Sequence, residues 1–543
     1  MVLKLANQEP AIIDEPSVGS VDRAPAQANE RPSRRVELAF LAWSSTIVKS
    51  AVMMATGFIS TPLLLRYLGA ERLGALRTSQ QWMAYLGYLF FGLTPAFSVL
   101  ILRQVAKRDV AATTILVKKG VALQLRQAMI VVAPVAMVMA WCMPLLVPVS
   151  KNLSSELRMG AFIGVGTLLF SCSDVFRALL ECLQLGYLLN LGMAAQSVVA
   201  TGLGILLAWL GYGLVGQGIA ACVAALVLLL ILGSFGMKRL PGFWTKRARR
   251  LGNQERGELW RLRWPLALSG VGNQMNLQSD YMVVAMIASP SAVTGFMVTQ
   301  RLISVCGGFL SISFAQSSWA ALVEILSNQG SKAFETKLLE LIRLVVGVGA
   351  VLFATLAAFD RQFVRLWVGS DYYGGDLLAV LTAIQLEVFA FLLMFAWVID
   401  VQGDTRERVV VSTVGSVLNL ALSVLLGAFL GLYGVTLATI LAYLATDAWY
   451  CPWVFCKRYG VSAKAIIHES ARAVIIGTTW GYAIWIVSRH LSMNSWYAFS
   501  AQAGSAVACA IVYSVLFVLR KEDRILWVLR IKQYLDGQQI RST

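Results

Sequence analysis

An uncharged apolar run of about 20 residues is what a helix needs to cross a hydrocarbon layer ~30 Å thick. This sequence supplies such runs again and again, at 38–64, 79–102, 127–149, 159–180, 187–210, 214–236, 264–288, 296–322, 341–359, 376–399, 409–430, 433–455, 472–488 and 495–519. They lack the polar alternation of a membrane β-strand. A segment in lipid must also satisfy its own backbone hydrogen bonds. The fold class predicted is therefore all-α and polytopic, with about 14 transmembrane helices. Composition agrees: 58% of the residues are hydrophobic and 14% charged, against about a quarter charged in a soluble domain.

The formal net charge of +17 would in a soluble chain suggest nucleic acid. Here the basic residues fall in short breaks between apolar runs, so nucleic acid is not the expected partner. With 14 helices and both termini cytoplasmic, inner segments hold about 36 of the 46 Lys and Arg and outer ones about 9, as the positive-inside rule asks. The eight cysteines are scattered mostly within or at the ends of spans and read as small core residues, giving neither a disulfide framework nor a metal site. The two histidines, His468 and His490, lie near opposite faces. No phosphate-binding G-x-x-x-x-G-K-[ST] loop occurs. The longest outer loop, about 360–376, is too short to house a sugar-transfer site, so catalysis is not expected.

The polar breaks divide the chain. Residues 1–37 are expected to be a disordered cytoplasmic tail, 38–236 a first six-helix lobe, 237–263 a basic cytoplasmic linker and 264–456 a second six-helix lobe. Two further helices occupy 457–520, and 521–543 is a cytoplasmic tail. The lobes carry a weak internal repeat. An offset of 218 residues aligns Gln184 with Gln402, Gly216 with Gly434 and Ala220 with Ala438. An offset of 221 aligns Gly74 with Gly295 and Thr78 with Thr299.

Polar residues inside spans are costly in lipid, so they mark candidate function. Lys49 falls near the middle of the first run, and Arg301 and Gln300 open the eighth. In the seventh run, Ser269, Asn273, Asn276 and Asp280 step by four, three and four, which places them on one helical face. Such a row lines a watery cavity or forms a hydrogen-bonded seam between helices. The guanidinium fork of Arg301 suits a phosphate or an interfacial anchor. Glu387 and Arg177 are weaker candidates, each near a predicted helix end.

The stretch from Gly57 to Asp109, with Arg66, Leu68, Gly69 and Gly74 after the first helix and Gly92 and Arg103 along the second, resembles the polysaccharide and oligosaccharide-lipid flippases. These belong to the superfamily of the multidrug and toxic-compound extrusion (MATE) transporters. The segment with Asn419, Gly431, Gly434 and Val435 is similar to a second stretch of that family. The resemblance implies two MATE-like lobes working by alternating access in a bacterial inner membrane. Its cargo would be a glycan joined through pyrophosphate to a polyprenyl lipid. Polysaccharide polymerases and glycosyltransferases would be partners, and Na+ or H+ a coupling ion. On that reading Lys49 and Arg301 are the cations of the cavity, the row of Ser269, Asn273 and Asn276 contacts sugar hydroxyls, and Gln300 is a further cavity residue. Asp280 is an ion-coupling site or the counter-ion of Lys49. The competing readings are a cation-coupled exporter of small drug-like molecules, which Asp280 and Glu387 would fit, and a flippase for a lipid-linked peptidoglycan precursor.

Overall fold

The computed structural model describes residues 30–244, 257–264, 267, 279–401, 405–491 and 494–525. The described residues are overwhelmingly helical and include no strand. Ten of the helices are long and apolar enough to cross a membrane, or eleven with one bent pair counted as a span.

The first lobe comprises α1 (Glu30–Leu68), α2 (Ala70–Leu86), α3 (Leu93–Ala106), α4 (Val110–Leu146), α5 (Lys151–Cys182), α6 (Gly186–Trp209) and α7 (Gly213–Lys238). Helices α2 and α3 are the bent pair, meeting at 50°. The bend sits at Phe91 and Gly92, both with left-handed φ (47° and 66°). It strands helical carbonyls that need donors. Arg263, in the short helix 257–264, supplies them, donating to the Phe90 and Phe91 carbonyls at 3.1 Å each. Glycine is required at position 92, because a Cβ would also meet the Arg263 carbonyl at 2.5 Å. Elsewhere small residues let helices close up: a Cβ on Gly218 of α7 would come within 2.5 Å of the Gly160 carbonyl of α5. Between α1 and α6 the seam is polar, with Asn190 Nδ2 donating to Ser45 Oγ at 2.8 Å and Thr46 Oγ1 at 3.0 Å.

The second lobe holds α8 (Asp280–Ile287) and α9 (Pro290–Leu302), which runs on through a π-helical stretch (Ile303–Ile312) into Ser313–Gln329. It continues with α10 (Ser331–Trp367), α11 (Asp376–Val401), α12 (Thr405–Leu430) and α13 (Leu432–Tyr459). Its core is built on Phe334, Leu338, Phe395, Val454 and Phe455. Asn419 Oδ1 of α12 accepts from Ser423 and from Thr439 of α13, at 3.2 and 3.1 Å. The last two helices, α14 (Ala463–His490) and α15 (Trp496–Tyr513), pack against α10. Apart from 79–102, which the bend at Phe91 and Gly92 breaks, every expected run that is described is helical. Most helices outreach the apolar run, α1 starting at Glu30 within the expected disordered tail. Capped polar ends extend them, as where Asp109 accepts from the Ala112 amide at 2.8 Å.

One membrane face carries the α1–α2 turn at Gly69. There Glu71 accepts from the Ser150 amide, Arg72 pairs with Glu156, and Glu156 accepts from the Leu214 amide. The lobes meet at this face. Helix α2 lies along α9, and a Cβ on Gly74 would fall 1.6 Å from the Pro290 carbonyl oxygen. Thr294 Oγ1 donates to the Ala70 carbonyl at 2.8 Å. The repeat thus has a spatial meaning, since α2 and α9, which carry its aligned Gly and Thr residues, pack on each other across the lobe boundary.

Candidate functional site

Where α1, α2, α8 and α9 converge, two guanidinium groups face one another's fields across the boundary. Arg77 stands on α2 and Arg301 on α9, with the Tyr281 hydroxyl of α8 acting electrostatically on both. The Arg77 fork reaches Gln80 Oε1 at 3.2 Å. The Arg301 guanidinium lies 5.8 Å from the Phe58 ring centroid of α1, within cation–π range. Neither arginine forms an ion pair among the described residues. Both Nε atoms are buried without a hydrogen-bond partner there, as are Gln81 Oε1 and Asp280 Oδ1. Buried polar atoms normally find partners. A set of them, two on guanidiniums that act on one another electrostatically, is what an oxyanion ligand or water would satisfy. Two rigid forks suit a phosphate-like group, each capable of a bidentate contact.

The residues singled out from sequence fare differently. Arg301 is central to this cluster, and Gln300 is its half-buried neighbour on α9. Lys49 is half-buried on α1, at helical spacing from Ser45, Thr46 and Thr56, which contact α6. It lies eight residues before Gly57, about 12 Å along the helix axis, so it does not join Arg301. Lys49 and Asp280 form no ion pair, and the counter-ion alternative is not realised in this structure. Asp280 opens α8 and acts electrostatically on Tyr85, Tyr281 and Tyr443. Glu387 of α11 is mid-helix, and both its carboxylate oxygens are buried without a partner among the described residues. Arg177 pairs with Glu181 one turn away, an exposed helical pair. Ser269, Asn273 and Asn276 lie outside the described residues.

A family model described as "Polysaccharide biosynthesis protein" matches residues 42–319, just over half of the chain. The chain belongs to this family. Among curated proteins it is similar to the uncharacterized membrane protein EpsK of Bacillus subtilis (strain 168), at 24% identity over 326 residues. That match takes in 58% of this chain and 62% of EpsK, so the chain spans a little under two thirds of the curated relative. Among solved structures, the lipid II flippase MurJ in an inward closed conformation superposes with a TM-score of 0.65. The overlap covers 88% of this chain and 98% of MurJ, at 14% identity. An inward-facing multidrug resistance MATE transporter superposes with a TM-score of 0.56 over 84% of this chain and all of that one, at 16% identity. These likenesses show the fold, and it is the MATE-like fold expected from the sequence.

For a member of the polysaccharide biosynthesis family, Arg77 is the residue that sequence reading passed over. The apolar run beginning at 79 leaves it in a loop, whereas α2 begins at Ala70 and carries it about two turns into the helix. A signal was present. The 221-residue offset that aligns Gly74 with Gly295 sets Arg77 against Val298, three residues from Arg301. Three residues is close to one helical turn, so the two lobes contribute near-equivalent arginines from packed, equivalent helices.

Proposed function

We propose that this protein is a flippase for a glycan carried on a polyprenyl pyrophosphate, moved from the cytoplasmic to the outer leaflet of the bacterial inner membrane by alternating access. The observation that carries the reading is the Arg77–Arg301 pair, two part-buried guanidiniums with no counter-charge among the described residues, set at the boundary of the lobes. A pyrophosphate would neutralise both. The glycan would occupy the polar interior and the lipid tail would remain in the bilayer. Both termini are cytoplasmic on this reading, which makes the Gly69 face the outer one. Asp280 is the proposed coupling-ion site, for Na+ or H+. Polysaccharide polymerases and glycosyltransferases are the proposed protein partners.

A second cargo class is favoured by one feature: the buried Oδ1 of Asp280 and both carboxylate oxygens of Glu387 have no partner among the described residues, which suits a cation-coupled exporter of small drug-like molecules. The two readings separate in cells dependent on this protein for surface glycan. Arg77→Gln and Arg301→Gln should each cut export about tenfold or more, from loss of a charge-assisted contact, and lipid-linked precursor should accumulate. Cationic-drug resistance should not change. Normal glycan export with both substitutions combined, together with drug sensitivity in Glu387→Gln, would replace the glycan reading with the exporter.

A further inference from the structure

Helix α1 contains Pro62, and a proline offers no amide hydrogen to the carbonyl four residues before it. That carbonyl belongs to Phe58. The indole Nε1 of Trp367, at the end of α10 in the second lobe, donates to it at 2.9 Å. The Phe58 ring packs edge-on against Phe363 (5.8 Å) and Trp367 (5.5 Å) of the same α10. From the third side comes Arg301, whose Nη2 fills the space beside Gly57: a Cβ there would lie 1.8 Å from it. One residue of the first lobe is therefore held by its carbonyl and by its ring, in both cases by the second lobe.

We infer that Phe58, Pro62 and Trp367 form a latch that keeps the lobes together at the Gly69 face, and that Arg301 ties this latch to the anion site. In an unbroken helix the Phe58 carbonyl would already accept from residue 62. Proline withholds that bond, so the acceptor is reserved for a donor from outside the helix. Trp367 can then bind and release without breaking any bond of α1. Arg301 has two possible attachments, the Phe58 ring and an anion beside Arg77. An anion that draws the guanidinium away removes one hold on Phe58 and leaves the indole hydrogen bond as the other. The part played by Arg301 rests on the pyrophosphate reading above, and the latch itself does not.

The test measures lobe separation at this face by pulsed electron paramagnetic resonance on the full chain in lipid nanodiscs. Spin labels at Tyr212→Cys, in the α6–α7 turn, and Phe429→Cys, near the end of α12, report it once the eight native cysteines are replaced; both sites are exposed. Trp367→Phe keeps a ring and removes the donor, and should raise the long-distance population severalfold. Pro62→Ala returns an amide to the Phe58 carbonyl, should shift the distribution the same way, and keeps the test open if Trp367→Phe does not fold. The double variant should open no further than Trp367→Phe. Distances in Trp367→Phe equal to those of the unsubstituted chain would overturn the latch, and further opening in the double variant would overturn the part given to Pro62. Inorganic pyrophosphate should lengthen the distances in the parent chain but not in Arg301→Gln. If Trp367→Phe opens while pyrophosphate leaves the parent unchanged, the latch stands and its link to the anion site is refuted.

Discussion

Single residues carry the clearest contrast in what a substitution can do. A Cβ at Gly57 would collide with the far end of the flexible Arg301 side chain, and one at Gly74 with the backbone of Pro290. The first collision is relieved by turning Arg301 aside, the second only by parting two helices. Gly57→Ala should therefore fold with an unchanged melting temperature and lose transport, because it displaces a cation from the site. Gly74→Ala should lower the melting temperature as well. Equal thermal loss in the two variants would contradict this assignment. At this scale the sequence was partly legible. Arg301 and Asp280 stood out because a charge inside an apolar run is costly. Arg77 did not, because the charges of Arg66, Glu71 and Arg72 pull the apparent start of the second span past it. Lys49 was visible for the same reason as Arg301, yet its height on α1 sets it apart from the arginine pair.

Among the elements, α14 is fastened at both ends. At the face opposite Gly69, Arg343 of α10 makes a two-pronged contact with Asp523 (2.8 and 3.0 Å), and Glu469 of α14 pairs with Arg520 and lies 3.6 Å from Arg343. At the Gly69 face Arg489 pairs with Asp376, and Gln362 donates to the Ser488 carbonyl at 3.0 Å. Arg343, Glu469 and Asp523 are all less than a tenth exposed. Removing Asp523 would leave the buried Arg343 only Glu469, at 3.6 Å, a loss below the about 3–5 kcal/mol of a buried charge left wholly unpaired. Asp523→Ala should accordingly lower the melting temperature of the purified protein by several degrees, and an unchanged melt would show the cluster to be solvated. The apolar runs located the described spans well, since length and hydrophobicity are local properties. The bend at Phe91 and Gly92 was not legible, because it depends on donors from Arg263, some 170 residues away. The polar row of the seventh run falls largely outside the described residues, and only its last member, Asp280, has a place in the structure.

For the whole molecule, the internal repeat was the most informative feature of the sequence. Its 221-residue offset points to α2 and α9, and these are the helices that pack together where the lobes meet and that carry the two arginines. On the proposed reading, a cation from each lobe would let an anion bridge them and so couple binding to lobe movement through one site. Which residues face each other across the boundary was beyond the sequence, since the repeat is weak and contacts between lobes are not periodic. The most direct measurement is leaflet exchange of a short fluorescent glycan on a polyprenyl pyrophosphate, in proteoliposomes holding the full chain. The expected result is protein-dependent movement between leaflets that is lost in Arg77→Gln and Arg301→Gln. Absence of movement with the parent chain, or equal movement with both arginines replaced, would contradict it.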